Sequence, residues 1–458
     1  MEMKAPSPTL SFVNHASVLI EFGGIGLLSD PWYSGDAFHK GWKLIHENSR
    51  EHVLALLNRT THIWISHEHP DHFSVGFFKQ YGQVIRERGI EVLYQQTKDR
   101  RVFTFLDKSG FQVRELMNRE VVSLGDNYSI RLAKDEFYDS ALIIDVDGMS
   151  VFNLNDCPIH GPERAQRFAK EFGPCDVLLT QFSYAAWKGG PANKSWRQTA
   201  AQEKLDIVVE QAEALAAKVV VPFASYVYFS HELNQYLNDS VNRPGDVAAS
   251  LADRDIKCVV LSPNETQSLD SLEQDETSLR FWSNQYAHIG ERPGLSYDTS
   301  VSSDELLSSF KLYVARVTKH NSKWFMKAVR AFSPISVLKP IRIRLFDLGE
   351  TFIVDPILGV FCSTEGNADL EMHSESLRFV FQNTFGFDTL TVNGCFEECS
   401  PGGFSRASRT LAIENLNNLG IRFAPGILLE IDLILVFIKR LWRVSLKLKQ
   451  PSLKAGES

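Results

Sequence analysis

The tightest constraint on this chain is the run His67-Glu68-His69-Pro70-Asp71-His72. It packs three imidazoles and the Asp71 carboxylate into one turn. It directly follows Thr61-His62-Ile63-Trp64-Ile65-Ser66, an apolar, β-branched stretch that reads as a buried strand. A strand that stops at His-x-His-x-Asp-His holds its side chains on a rigid edge. The two-residue spacing of His67 and His69 puts both on one face of an extended chain. Asp71 and His72 follow after the turn, placed to reach a second metal. Neutral imidazole and carboxylate suit zinc, iron or manganese.

A length of 458 residues is enough for two or three domains and a large core. The net charge of −8 argues against a general nucleic-acid binder. The opening Met1-Glu2-Met3-Lys4 shows no leader pattern. The scattered cysteines 157, 175, 258, 362, 395 and 399 therefore read as reduced thiols, and a cytoplasmic protein is expected. One stretch, residues 426–449, pulls toward a membrane surface. Its apolar run is too short and too acidic to span a bilayer, and the lysines and arginines that follow suit peripheral contact or a packed terminal helix.

Along the chain, short strands alternate with helical stretches up to about residue 265, which predicts an α/β layered sandwich over 1–265. Within it, residues 198–217 read as an amphipathic helix opening at Thr199, followed by strands at Val219-Val220-Val221 and Lys257–Leu261. Residues 266–333 turn polar and read as a connecting segment with some helix. Residues 334–458 read as a smaller α+β domain. There Ile341–Phe346 alternates with period two, and Thr351–Val354, Leu377–Phe381 and Thr389–Val392 continue in short segments.

His-x-His-x-Asp-His after a strand resembles the signature of the metallo-β-lactamase superfamily, whose fold is an αββα sandwich. Ser17–Phe22, Gly23-Gly24 and Ile25–Ser29 look like its opening hairpin. Asn14–Ile20 with Asp30-Pro31-Trp32, Asn153–Cys157, Gln181–Tyr184, and Val221–Ala224 leading to Tyr228-Phe229-Ser230-His231 resemble the catalytic domain of the CMP-N-acetylneuraminate hydroxylases. The resemblance covers most of residues 10–265. It implies that Asp156, ending a strand, bridges two metals, as charge also demands between two nearby dications. It implies that His231 is the last ligand of the second metal.

Hydrolases of the superfamily place a third histidine on the first metal. No histidine lies between His72 and His160 here. The matching stretch is Glu136-Phe137-Tyr138-Asp139-Ser140. Setting Ser140 on the family serine puts Glu136 in the histidine's place, with Asp139 and then Asp135 as competitors. The resulting set is His67, His69, Glu136, Asp71, His72, His231 and Asp156. It is similar to that of the diiron β-hydroxylases of antibiotic biosynthesis. His15 is expected beside the cleft as a hydrogen-bonding or proton-shuttling group, and His160 and Tyr228 as pocket residues. The resemblance therefore implies a diiron oxygenase acting on a sugar-, nucleotide- or carrier-linked substrate with O2. Sialic acid hydroxylases carry a Rieske domain, and none of these cysteines sits in Cys-x-His context. An external ferredoxin, reductase or Rieske protein is thus the expected electron donor. The competing readings are a dinuclear zinc or manganese hydrolase of esters, amides or phosphodiesters, and a superfamily domain kept as a binding module.

Overall fold

A computed structural model describes residues 7–135, 138–333, 337–418 and 420–429. The chain divides into two compact units, Met1–Thr299 with Asp388–Glu397, and Ser300–Phe387 with Glu398–Ser458.

The first unit is built on two seven-stranded sheets. In one, Thr9–Asn14, Ser17–Phe22 and Ile25–Ser29 form an antiparallel meander. His62–Ile65, Glu91–Gln95 and Gln112–Leu116 then add in parallel, and Thr266–Ser268 closes the other edge. The expected hairpin is present, with Leu19 opposite Leu28 across the Gly23-Gly24 turn. In the second sheet, Val121–Gly125, Tyr128–Lys134, Ser140–Val146 and Met149–Asn155 run antiparallel. Val177–Gln181, Val219–Phe223 and the short Lys257–Cys258 continue it in parallel.

The pleat explains the layers. In His62–Ile65, Trp64 joins the core with Leu10, Phe12, Leu93, Leu142 and Ile144, the last two from the second sheet. Ile63 and Ile65 join Val53, Leu57, Phe77 and Phe78 of the helices Arg50–Arg59 and Val75–Glu87. Successive residues of one strand thus serve two cores, as a period of two requires. Ser49 and Ser74 cap those helices by accepting from His52 N and Phe77 N, each at 3.2 Å. The fold is an αββα sandwich.

Several elements depart from expectation. The long helix spans Lys194–Ala214 and starts before Thr199, whose hydroxyl bonds back to Ser195 O inside it. The stretch read as a polar connector is no linker. It supplies the edge strand Thr266–Ser268 and the helix Glu276–Ala287, whose Trp282 is 1% exposed in the first core. Its remainder forms the helices Ser303–His320 and Lys323–Phe332 of the second unit.

The second unit is α+β. Ile341–Leu345 alternates buried and exposed as its sequence predicts, and pairs with Glu350–Asp355, which pairs in turn with Val360–Thr364. Leu377–Phe381 lies in a helix, Ser374–Gln382, whose Phe381 packs on Phe310 at 5.2 Å. Thr389–Val392, which is counted with the first unit, is likewise helical, within Gly386–Asn393. Among the described residues no helix is long and apolar enough to cross a membrane. The expected lipid-contacting stretch 426–449 lies outside them from residue 430 onward.

Candidate metal centre

The strand His62–Ile65 ends at Ser66, and the next residues turn back so that His72 N and Phe73 N both bond to His69 O, at 3.0 and 2.7 Å. This turn gathers the three imidazoles. Each is oriented by a bond on its outer nitrogen. The Ser66 hydroxyl donates to Asp30 Oδ2 at 2.7 Å, so it accepts from His67 Nδ1 at 3.0 Å. Asp30 Oδ2 also accepts from His72 Nδ1 at 2.9 Å. Asp388 Oδ2 stands 3.4 Å from His69 Nε2. A nitrogen that carries the proton leaves the other with a free lone pair. The inward atoms are therefore His67 Nε2, His69 Nδ1 and His72 Nε2.

These inward atoms meet carboxylates. His67, His69 and Asp139 form one group, His67, His72 and Asp156 a second, and His15, Asp71 and His72 a third, each with its ligand atoms within 4.8 Å of one another. His72 Nε2 lies 3.5 Å from both Asp71 Oδ2 and Asp156 Oδ2, and His15 Nε2 3.3 Å from Asp71 Oδ2. Residues 67, 71, 72 and 15 are all nearly solvent-free.

The donor set fits metal ions. His67 Nε2 and His69 Nδ1 face each other at 2.9 Å, close enough for one proton or one cation to be shared between them. Asp71 Oδ1 is buried with no hydrogen-bond partner among the described residues, a costly state for a polar atom unless a ligand takes it. The titrations carry the same strain. Burial and the neighbouring imidazoles hold His67 well below its usual value. Burial also acts against charge on His72, but Asp71, Asp156 and Asp30 outweigh it and push it well up. His69, against the same burial, is raised to about 10 by Asp388. Burial lifts Asp139 to about 7, with His69 opposing. Asp71, despite burial, is brought down to about 2, chiefly by His72 and His15. Such opposed shifts mark imidazoles and carboxylates packed closely enough to set one another's charge.

Three residues at this rim hold left-handed backbone: His15, Asp30 and Asn155, with φ of 31°, 34° and 38°. None is glycine, so each carries strain, of a kind that clusters at functional sites. Asn155 links Ser140 O to the Asp156 backbone, accepting from Asp156 N and donating to Ser140 O at 3.0 Å.

The expected ligands divide. His67, His69, Asp71, His72 and Asp156 converge. Glu136 lies outside the described residues, and Asp139 is the carboxylate that stands with His67 and His69. Asp135 turns away to pair with Arg164. His231 enters none of the groups. Its Nδ1 accepts from Leu233 N at 3.2 Å and its ring packs against Tyr297 at 4.3 Å, while His15 takes the third place beside Asp71 and His72. His160 is exposed on its loop and joins no group among the described residues. Tyr228 is buried, with the Arg292 guanidinium 4.9 Å from its ring centre, a packing position. Asp30 and Asp388 were not foreseen as orienting groups. Asp30-Pro31-Trp32 was a visible motif, but nothing in sequence points from Asp388 to His69.

Comparison with the models of known protein families agrees with this architecture. Residues 9–224 match the model of the beta-lactamase superfamily domain. The cytidine monophosphate-N-acetylneuraminic acid hydroxylase of Danio rerio is 26% identical over 258 residues, which is 52% of this chain and 42% of that protein. The match thus spans well under half of the relative's length. Among solved structures, Igni18, a metallo hydrolase from Ignicoccus hospitalis, aligns with a TM-score of 0.41 and 19% identity over 57% of this chain and 98% of that one. CmlA, a diiron beta-hydroxylase from Streptomyces venezuelae, aligns with a TM-score of 0.43 and 20% identity over 58% and 55%. The sandwich, the histidine run at its strand edge and the matched segment together make residues 9–224 of this chain a domain of the metallo-β-lactamase superfamily.

Proposed function

We propose that this chain is a diiron hydroxylase that uses O2 and an external electron donor on a sugar-, nucleotide- or carrier-linked substrate. The observation that carries the reading is Asp139 grouped with His67 and His69. With Asp71 and Asp156 it makes three carboxylates among the donors, a hard, anionic set that favours the higher oxidation states of iron. The likeness to a hydroxylase over half the chain supports the same reading. When bound, iron supplies O2 activation and C–H oxidation. The chain's own residues orient and shield: Asp30, Ser66 and Asp388 hold the imidazoles, and the burial of His67, Asp71 and His72 keeps bulk water from the reacting atoms.

The test is metal analysis of protein purified without added metal, then O2 uptake with a reducing ferredoxin and CMP-N-acetylneuraminate as first probe. Iron in the centre, with label from 18O2 in a hydroxylated product, supports the reading. Zinc in the centre, with full turnover in the absence of O2, overturns it in favour of hydrolysis.

A further inference from the structure

Gln181 ends the strand Val177–Gln181 and is 7% exposed. Its amide nitrogen donates to Asp156 Oδ1 at 2.9 Å. Its amide oxygen accepts from the Lys204 ammonium, which reaches in from the helix Lys194–Ala214. An ammonium has only donors and a carboxylate only acceptors. One orientation of the amide serves both, and the lysine therefore dictates which end of Gln181 faces Asp156. With Oδ1 engaged by Gln181, Oδ2 is the oxygen turned to His72 Nε2, 3.5 Å away. The carboxylate is thus gripped at one oxygen and offered to the cluster by the other.

We propose that Lys204 is a positioning residue of the metal centre, acting through Gln181 to set the rotamer of Asp156 and present Oδ2 to the ions. The proposal rests on Asp156 being a ligand and is independent of whether the centre hydroxylates or hydrolyses. It also has a sign. Acting only through space, a cation near the centre repels metal, and its removal would tighten binding. Acting through the amide, its removal weakens binding.

The experiment titrates the full-length protein with zinc alone against a chromophoric chelator, so that turnover is not needed. Lys204→Met is expected to weaken retention of metal about 10-fold, within the range for groups that orient ligands. Lys204→Arg, which keeps the donor, restores most of it. Gln181→Glu pairs with Lys204 but offers Asp156 no donor, so it folds and still loses affinity. In a double-mutant cycle, Lys204→Met adds nothing on a Gln181→Leu background, because both break one path. Unchanged or tighter binding by Lys204→Met, additive losses in the cycle, wild-type binding by Gln181→Glu, or full metal content in Asp156→Asn would each overturn the proposal.

Discussion

Asp388 Oδ2 lies 3.4 Å from His69 Nε2, although the two residues sit at opposite ends of the described chain. The contact belongs to the first unit, because Asp388–Glu397 is counted with Met1–Thr299. Asp388 stands in the first turn of the helix Gly386–Asn393. A residue distant in sequence thereby selects the tautomer of a candidate ligand in the histidine run.

Asp388→Ala frees that tautomer. Metal held by His67, His69 and Asp139 should be released about 10- to 100-fold more readily, read by chelator competition. Far-ultraviolet circular dichroism should be unchanged. Wild-type retention would mean that Asp388 does not hold His69.

Asp139→Ala should strip metal from the position shared with His67 and His69, while Glu136→Ala keeps it. Inductively coupled plasma analysis of both variants decides the matter. The reverse pattern would make Glu136 the ligand.

Acid stability should depend in part on Asp239. Its side-chain bond to Arg197 and the guanidinium charge hold its folded value below the ordinary carboxylate range. A depressed folded value stabilises at neutral pH, and the gain is lost as pH falls from about 4 toward that value. Asp239→Asn should flatten this limb of the stability–pH curve, measured by urea unfolding. Asp239→Ala should also cost about 2 kcal/mol at pH 7, because Arg197 is 1% exposed and keeps its charge. An unaltered acid limb would show that the pair is energetically idle.

Trp64 is fully buried between the sheets. Trp64→Ala should cost about 4 kcal/mol through lost transfer energy and a cavity. Equilibrium denaturation reads the loss, and a cost below about 1 kcal/mol would contradict the packing described.

Local sequence was informative where chemistry and geometry share a short stretch. The strand before His67, the Gly23-Gly24 hairpin and the alternation in Ile341–Leu345 are all set by neighbours a few residues apart. Four of the expected metal ligands come together in one turn for the same reason, and Asp156 joins them from the end of a distant strand. Leu377–Phe381 and Thr389–Val392 read otherwise because short apolar, β-branched runs suit a strand and a buried helix alike, and tertiary packing decides. His231 was expected from the resemblance, yet it enters none of the three groups and its ring packs on Tyr297. Asp388 and Lys204 could not be read, and Gln181 was visible only as the start of a stretch that resembled the family, with no role attached. Their roles come from chain returns over long separations, which carry no local pattern.

The left-handed backbone at His15, Asp30 and Asn155 sets a trade-off for anyone seeking a hardier protein. Glycine at any of these positions would relieve strain of about 1 kcal/mol. Each such gain would delete a side chain that binds or orients at the centre. Stabilisation by that route is closed, and thermal improvement has to be sought in surface charge, helix caps and loops away from the rim.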